Sequence, residues 1–264
     1  MSHADLPAGF MRFVLAGGVY VIARDTVAPA IREALRQGTL YEYGARHPRA
    51  RRLSGRGVAY AVPLGDDPDP VVIRHNRHGG ALARLTRDLF LPPTRVEHEL
   101  RTSEALRLAG VPTPPVLAVA VYRAGGLLRR SDVVTREIPD AHDLSSAIMS
   151  PDAAARLRAF VATAHLVAAL SRARARHHDL NVKNVLLSAD GGGALHGCVL
   201  DVDRVVFGSA STRTLVDQNL ARLTRSARKW RGRYGAPVTE PELAELARAT
   251  RVLALSVPTP TTRS

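Results

Sequence analysis

The strongest constraint on the fold is a change of pattern near residue 138. Before this point, short runs of β-branched and aromatic residues alternate with turns that contain Gly or Pro, which is typical of antiparallel strands. The patterns predict strands at residues 10–15, 19–23, 58–64, 71–74, 116–122 and 132–138, and helices at residues 26–37 and 94–109. After it, helical periodicity at residues 151–176, 212–231 and 241–255 surrounds a short hairpin at residues 185–188 and 198–201.

This order of elements predicts an α+β fold with two lobes. A β-rich N-terminal lobe occupies residues 1–138, and a reduced, mainly helical C-terminal lobe occupies residues 139–257. The Pro- and Thr-rich tail at residues 258–264 is expected to be disordered. Because clefts between lobes commonly hold ligands, we expect a ligand to bind between the two lobes.

Residues 177–184, with the sequence HHDLNVKN, connect the long helix to the hairpin. Asn184 begins the first predicted hairpin strand and Asp201 ends the second. In an antiparallel pair these two side chains therefore lie side by side at the open end. Asp179 stands on the loop that enters the same end, so two carboxylates and an amide oxygen are expected to converge there.

This set of side chains matches the needs of phosphoryl transfer from ATP to a hydroxyl group. The transferred phosphate carries spread negative charge, and Mg²⁺ can neutralise it through the hard oxygen ligands of Asn184 and Asp201. Asp179 can hold the acceptor hydroxyl and take its proton as general base. We expect His177 to brace the loop rather than to react.

The N-terminal half supplies candidates for holding the nucleotide. Gly55 and Gly57 precede a predicted strand, where glycines let backbone amides approach phosphates, although Gly-x-Gly also occurs in ordinary turns. Arg74 ends the next strand and can clamp phosphate with its guanidinium fork. Glu99, on the following helix, is the expected ion-pair partner of Arg74, with Glu97 as its rival.

These residues resemble the protein-kinase-like superfamily and, more closely, the lipopolysaccharide kinases of the 3-deoxy-D-manno-octulosonic acid (Kdo) kinase and WaaP type. The resemblance covers about residues 50–230. It rests on the basic turn at residues 74–80, the helix and exit at residues 99–114, the catalytic loop and metal site at residues 177–184 and 200–204, and the closing helix at residues 219–226. Val202 stands where Phe is common, and His178 stands at a usually small or basic position, so the exact acceptor stays open.

The resemblance implies a protein-kinase-like two-lobe fold with a nucleotide-binding first lobe and a catalytic second lobe. It implies ATP-dependent phosphorylation of a Kdo hydroxyl in the lipid A-linked inner core of lipopolysaccharide, at the cytoplasmic face of the inner membrane. The implied cofactors are ATP and Mg²⁺. Carried over, the general base is Asp179, the Mg²⁺ ligands are Asn184 and Asp201, the ATP-binding residues are Gly55, Gly57, Arg74 and Glu99, and the supporting residues are His177, Asn181, Asp203 and Arg204.

Charge and length agree with an anionic, lipid-linked acceptor. Lys and Arg number 37 against 24 Asp and Glu, a formal net charge of +13, which favours ATP and an anionic glycolipid or sugar as partners. A genome rich in Arg codons is an equally good explanation for much of this excess. The short chain after Asp201 has room for two helices but not for the peptide-holding segment of a protein kinase.

The sequence also indicates where the protein works. The single cysteine, Cys198, excludes an internal disulfide and points to a reducing compartment. No basic start followed by an apolar run opens the chain, as a signal peptide would. Neither apolar stretch, residues 10–23 or residues 157–170, looks like a membrane span, so any membrane contact is expected to be peripheral.

Several alternatives stay open at this point. A kinase of the same fold can act on another small molecule or on a protein, and Arg74 in the usual Lys position also allows a nucleotide-binding pseudokinase. A zinc site at His75 and His78 lacks further ligands at suitable spacing. Trp230 is expected to pack rather than to stack on a base, and no groove-reading motif supports nucleic-acid binding.

Overall fold

The computed structural model of the chain describes residues 6–54, 57–75, 96–126 and 128–256. Gly55, His78 and the predicted tail at residues 258–264 lie outside the described residues. The strands in the described part are β1 (Phe10–Leu15), β2 (Val19–Arg24), β3 (Arg51–Ser54), β4 (Val58–Leu64), β5 (Asp67–His75), β6 (Val116–Arg123), β7 (Arg129–Arg136), β8 (His142–Asp143), β9 (Ala175–His177), β10 (Val185–Ala189), β11 (Leu195–Val199) and β12 (Val205–Phe207). The helices are α1 (Ala28–Ala34), α2 (Leu40–Arg46), α3 (Val96–Leu108), α4 (Leu144–Ile148), α5 (Ala153–Arg172), α6 (Thr212–Tyr234) and α7 (Glu240–Leu255).

The chain forms two compact units, and the predicted α+β class is confirmed. The first unit comprises Met1–Glu104 and Pro114–Glu137, and the second comprises Ala105–Thr113 and Ile138–Ser264. A single boundary at residue 138 does not describe this division. The end of α3 belongs to the second unit because Leu106 joins the hydrophobic core there.

The first unit is built on a seven-stranded antiparallel sheet with the order β1-β2-β6-β7-β5-β4-β3. Alternate residues of a strand point to opposite faces. Val21 and Ala23 of β2 therefore pack in the core that includes α1 and α2, whereas Ile22 packs in the core that includes α3. The strand-rich character predicted for this half of the chain follows from this two-sided sheet.

Some elements of the first unit differ from the prediction. α2 and β3 were not predicted, although Thr39 and Glu42 form a capping box at the start of α2 that the sequence contains. β5 begins at Asp67 rather than at residue 71. The Asp67 carboxylate accepts a hydrogen bond from Arg136 of β7 at 2.7 Å, which holds the start of the strand in the sheet.

α5 is the central helix of the second unit and packs against α6, α7 and β11. A Cβ atom at Gly197 of β11 would lie 2.9 Å from the Ala162 carbonyl oxygen, so glycine is required for this close approach. By length and composition alone α5 is apolar enough to cross a membrane, but 56% of its most apolar window is buried inside the protein. The helix is therefore placed as a core element.

The end of α5 starts the part of the second unit that carries the predicted site. The helix ends at Arg172 rather than at residue 176, because Arg174 adopts a left-handed conformation with φ of 58°. The chain continues as β9, which pairs with β12 in a two-stranded ribbon. β10 and β11 form the predicted hairpin, and β8 pairs with the outer edge of β10.

Candidate functional site

The loop that carries Asp179 begins at the end of β9. His177 pairs with Val205 of β12 and is fully buried. Its Nε2–H donates to the Leu200 carbonyl at 3.0 Å, and its Nδ1 accepts from the Asp179 N–H at 3.2 Å. One neutral tautomer of the imidazole satisfies both bonds. His177 therefore ties residue 179 to residue 200 and braces the loop, as expected.

Three carboxylates act on the buried imidazole of His177. Burial is the largest influence and lowers its pKa, which favours the neutral ring that the two hydrogen bonds require. A hydrogen bond from the ring and three negative charges act in the opposite direction; these charges are Asp179, Asp201 and Asp203. The predicted acidic residues of the site thus lie around one ring in the second unit.

The backbone of Asp179 is fixed at both of its polar groups. Its carbonyl oxygen accepts hydrogen bonds from the side-chain amides of Asn181, at 3.0 Å, and Asn184, at 2.9 Å. The amide oxygen of Asn181 accepts from the Lys183 N–H at 2.9 Å, which closes the loop on itself. The half-buried side chain of Asp179 is therefore oriented by a rigid backbone.

Asp201 lies beyond the hairpin rather than at the end of its second strand. β11 ends at Val199, and the N–H of Leu200 donates to the Asn184 carbonyl at 2.9 Å. Asp201 then adopts a left-handed conformation with φ of 53° and precedes the 3-10 turn Val202–Arg204. The prediction that Asp201 stands beside Asn184 as a ladder pair is wrong, because the chain turns out of the strand first.

Asp203 and Arg204 lie in that 3-10 turn. The Arg204 Nε atom is 3.7 Å from the Asp203 carboxylate, and the Arg204 side chain is exposed. An exposed pair at this distance contributes little to stability. The supporting roles of both residues stay predictions.

The donor atoms near the loop fit Mg²⁺. The buried Asn184 uses its amide nitrogen on the Asp179 carbonyl, which leaves its amide oxygen as a ligand. Asp201 offers a half-buried carboxylate. Within the residues that the structure describes, no group of three or more His, Cys, Asp or Glu could hold a metal ion. Mg²⁺ is usually bound by a few protein oxygens together with phosphate and water rather than by protein ligands alone. The two oxygen donors here suit that arrangement.

In the first unit, Arg74 of β5 and Glu99 of α3 form the predicted ion pair. Glu99 is 3% exposed, so this pair is shielded from solvent more than a surface pair. The rival Glu97 instead accepts a hydrogen bond from the Tyr20 hydroxyl at 2.7 Å. Burial, together with this carboxylate, raises the pKa of Tyr20 to about 12.

Gly57 lies in the short connection between β3 and β4, where Ser54 pairs with Val58. The phosphate-binding role of Gly57 stays a prediction. Gly57, Arg74 and Glu99 belong to the first unit, whereas the loop residues from His177 onward belong to the second.

Two polar residues of α6 hold the loop but received no role from the sequence. Asn219 is fully buried; its Oδ1 accepts from the His177 N–H at 3.0 Å, and its Nδ2 donates to the Ala175 carbonyl at 3.1 Å. Farther along α6, the Ser226 Oγ accepts from the Val182 N–H at 3.2 Å. A polar residue on the apolar face of a helix is the signal that points to Asn219.

A second buried network lies behind Arg74. The His75 Nδ1 donates to the fully buried Asp132 at 2.6 Å, and the His75 ring stacks on Tyr41 with 3.7 Å between ring centroids. Asp132 also accepts from the Tyr41 N–H at 3.0 Å. His75 is thus engaged in packing and hydrogen bonding on the face of β5 opposite to Arg74.

Two further residues weighed in the sequence belong to the core of the second unit. Cys198 is buried, and burial raises the pKa of its thiol to about 12. Trp230 packs against the core, and the Lys183 ammonium group lies 5.4 Å from the centroid of its ring. The packing role expected for both is confirmed.

Comparison with known proteins identifies the family. The model of the Lipopolysaccharide kinase (Kdo/WaaP) family matches residues 49–249. The 3-deoxy-D-manno-octulosonic acid kinase of Stenotrophomonas maltophilia (strain K279a) is 33% identical over 228 residues, which cover 83% of this chain and 86% of the relative. That of Xanthomonas axonopodis pv. citri is 34% identical over the same length and coverage.

Among solved structures, WaaP in complex with acyl carrier protein aligns with a TM-score of 0.46 and 17% identity, over 86% of this chain and 97% of that chain. The family assignment rests on the sequence match, which extends over more than half of the chain. The chain belongs to the lipopolysaccharide kinase (Kdo/WaaP) family and is a phosphotransferase that acts on a hydroxyl group.

Proposed function

We propose that this enzyme transfers phosphate from ATP to a hydroxyl of Kdo in the lipid A-linked inner core of lipopolysaccharide. The family makes it a lipopolysaccharide-related kinase with nucleotide and sugar substrates. The finer assignment is supported by the relatives named Kdo kinase, which match most of the chain. The observation that carries the proposal is the braced loop in which Asn184 binds the Asp179 carbonyl and the charges of Asp179 and Asp201 act on the same buried His177 ring.

Asp179 is the proposed general base. Its N–H is held by His177 and its carbonyl by two asparagine amides, so the backbone that carries the carboxylate is fixed. Such a carboxylate can accept the proton of the acceptor hydroxyl as the hydroxyl oxygen attacks phosphorus. A positioned base contributes about 10²–10⁴-fold to the rate of such a step.

Asn184 and Asp201 would hold Mg²⁺, with Asp203 near the same ring. When bound, the ion neutralises negative charge on the phosphates of ATP. Asn184 suits this role because its side-chain nitrogen donates to the Asp179 carbonyl, which leaves its side-chain oxygen as a ligand. The backbone turn at Asp201 directs the chain out of the hairpin directly after Leu200, whose carbonyl His177 holds.

In the first unit, Arg74 is proposed to bind the ATP phosphates through its guanidinium fork. Glu99 orients this fork by the buried ion pair. Gly57, together with Gly55, is proposed to let backbone amides approach the phosphates.

We also propose that the enzyme acts at the cytoplasmic face of the inner membrane through peripheral contact. The net charge of +13 supports attraction to anionic lipid headgroups. The acceptor itself is an anionic glycolipid, so the enzyme must reach a membrane surface.

The experiment that tests the function compares two acceptors with the purified protein, ATP and Mg²⁺. A lipid A precursor that carries Kdo is expected to give ADP and a phosphorylated product, and the same precursor without Kdo is expected to give neither. Equal turnover of both acceptors would show that another hydroxyl is modified. ATP binding without turnover of any sugar acceptor would favour the pseudokinase alternative.

A further inference from the structure

β9 has two chemically different sides. His177 points into the core, so its neighbour Arg176 points the other way, because successive side chains of a strand alternate. His178 follows the strand directly and continues its pairing with the chain at Arg204. Arg176 pairs with Val206 of β12, and the His178 N–H donates to the Arg204 carbonyl at 2.9 Å. Side chains of directly opposed residues share a face. Arg176, His178, Arg204 and Val206 therefore share the outward face of this ribbon.

α6 adds a further cation to this face. Asn219 bonds to the free edge of β9, and Arg222 follows one helical turn later. Arg222 is exposed on the helix surface. We call the four residues together the basic side of β9; they are Arg176, His178, Arg204 and Arg222.

Two of the three guanidinium groups in this set have no carboxylate partner among the described residues, whereas Arg204 lies 3.7 Å from Asp203. In the part of the chain that the structure describes, neither Arg176 nor Arg222 forms an ion pair with a carboxylate. Other cations of the closing helices do pair: Arg228 and Arg231 bind Glu240, and Arg251 binds Asp217. Arg176 and Arg222 thus differ from these paired cations and are available to an anionic ligand.

The pKa of His178 indicates that these cations lie close to one another. Burial lowers its pKa, and the positive charges of the three surrounding arginines lower it further. Three guanidinium groups close enough to act on one imidazole form a site of positive potential, although Arg204 also lies near the Asp203 carboxylate. Adjacent residues have Cα atoms about 3.8 Å apart, so this potential begins next to Asp179.

We propose that the basic side of β9 binds an anionic group of the acceptor, a carboxylate or a phosphate, and thereby places the acceptor hydroxyl at Asp179. This inference rests on the proposed function and specifies which residues recognise the acceptor. Arginine suits this task because its planar fork matches the oxygens of carboxylate and phosphate. The exposed Val206 on the same face adds an apolar contact for a glycolipid.

The test is the substitution Arg222→Gln, which removes one exposed charge without changing the buried face of α6. We expect the KM for a Kdo-bearing lipid A precursor to rise about tenfold, because a charge-assisted hydrogen bond is lost. The kcat and the KM for ATP are expected to stay unchanged. Arg222→Lys keeps the charge and is expected to recover most of the affinity.

The matched control is Arg213→Gln, which removes an exposed charge near the start of the same helix. It is expected to behave as the wild type. An equal KM for the acceptor in Arg222→Gln and Arg213→Gln would overturn the proposal. A raised KM for ATP with an unchanged KM for the acceptor would also overturn it.

Binding of the Kdo-bearing lipid A precursor without nucleotide, measured by calorimetry, separates failure of this subsite from failure of the proposed function. Weaker binding in Arg222→Gln than in the wild type supports the subsite even if the wild type does not phosphorylate Kdo. If the enzyme phosphorylates the Kdo-bearing precursor but binds it independently of Arg222, the subsite is wrong and the proposed function stands. No saturable binding and no turnover overturn both.

Two modified acceptors distinguish the anionic groups. Kdo with a methyl-esterified carboxylate loses affinity, and loses its dependence on Arg222, if the subsite holds the sugar carboxylate. A Kdo-bearing precursor that lacks the lipid A phosphates shows these losses if the subsite holds phosphate. Unchanged affinity for both modified acceptors contradicts the proposal.

Discussion

The two adjacent histidines at the end of β9 lie in opposite environments. On the side of His177, the ring is buried among hydrogen bonds and three carboxylates. On the side of His178, the ring is partly exposed among three arginines. A step of one residue along a strand thus separates an acidic side, suited to metal and proton transfer, from a basic side, suited to an anionic substrate. Asn219 anchors both sides, because it binds the edge of the same strand.

The largest expected effect comes from replacing Asp179, the proposed general base on the acidic side. Asp179→Asn keeps the shape and the backbone hydrogen bonds but removes the proton acceptor. We expect kcat to fall by about 10²–10⁴-fold with little change in ATP binding. Steady-state kinetics and calorimetric titration with ATP measure both quantities, and Arg213→Gln serves as the control. Normal turnover in Asp179→Asn would remove this residue from the role of base.

The next effect comes from removing the anchor that both sides share. Asn219→Leu leaves the His177 N–H and the Ala175 carbonyl buried without partners. Each such group costs about 1–3 kcal/mol, so the free energy of unfolding is expected to fall by about 2–4 kcal/mol in urea titrations. Gln218→Leu, at the neighbouring half-buried position, is expected to change it by about 0.5 kcal/mol or less. Equal stability of the two variants would contradict the anchoring role of Asn219.

A smaller effect is expected at the far end of the loop. Ser226→Ala removes the acceptor of the Val182 N–H and is expected to cost about 1 kcal/mol in the free energy of unfolding. Because the bonds at Asp179 remain, kcat is expected to change less than in Asp179→Asn. Thr224→Ala, on the same helix, is a suitable comparison for side-chain truncation, since its hydroxyl bonds only within the helix to the Leu220 carbonyl. A large loss of kcat in Ser226→Ala would show that this end of the loop also orients the base.

The smallest effect is a dependence of stability on pH. The pKa of His177 is lowered by folding, so the unfolded state takes up a proton first as the pH falls below about 6.5. Stability is therefore present above this value and is lost as the pH falls toward the folded-state pKa. Urea titrations between about pH 7.5 and 5 are expected to show a shallower decline in His177→Gln than in the wild type. An identical decline in both proteins would show that His177 is not responsible.

The sequence predicts the local features of this site better than the tertiary ones. The hairpin of β10 and β11 follows from short-range patterns. The Arg74–Glu99 ion pair is predicted because Arg74 stands in the usual position of the phosphate-binding Lys of a kinase, and not from a short-range pattern. By contrast, Asn219 acts on residues more than forty positions away, and no local pattern predicts that partner.

The other features that the sequence did not predict also have physical causes. Asp201 and Arg174 both adopt left-handed conformations without being glycine, so the usual signal for such a turn is missing. The exit of α3 joins the second unit through tertiary packing of Leu106. The basic side of β9 combines cations from three separate elements, which only the folded chain brings together.

Residues that precede the family match belong to the folding unit of the first half of the protein. The match starts at residue 49, yet Ile31 of α1 and Leu40 of α2 are fully buried against the sheet that carries Arg74. The Leu40 N–H also donates to the Tyr122 hydroxyl of β6 at 2.9 Å. A protein trimmed to the family boundary would lose this apolar cover and leave the Asp132 carboxylate without its bond from α2. The folding unit therefore extends beyond the start of the family match.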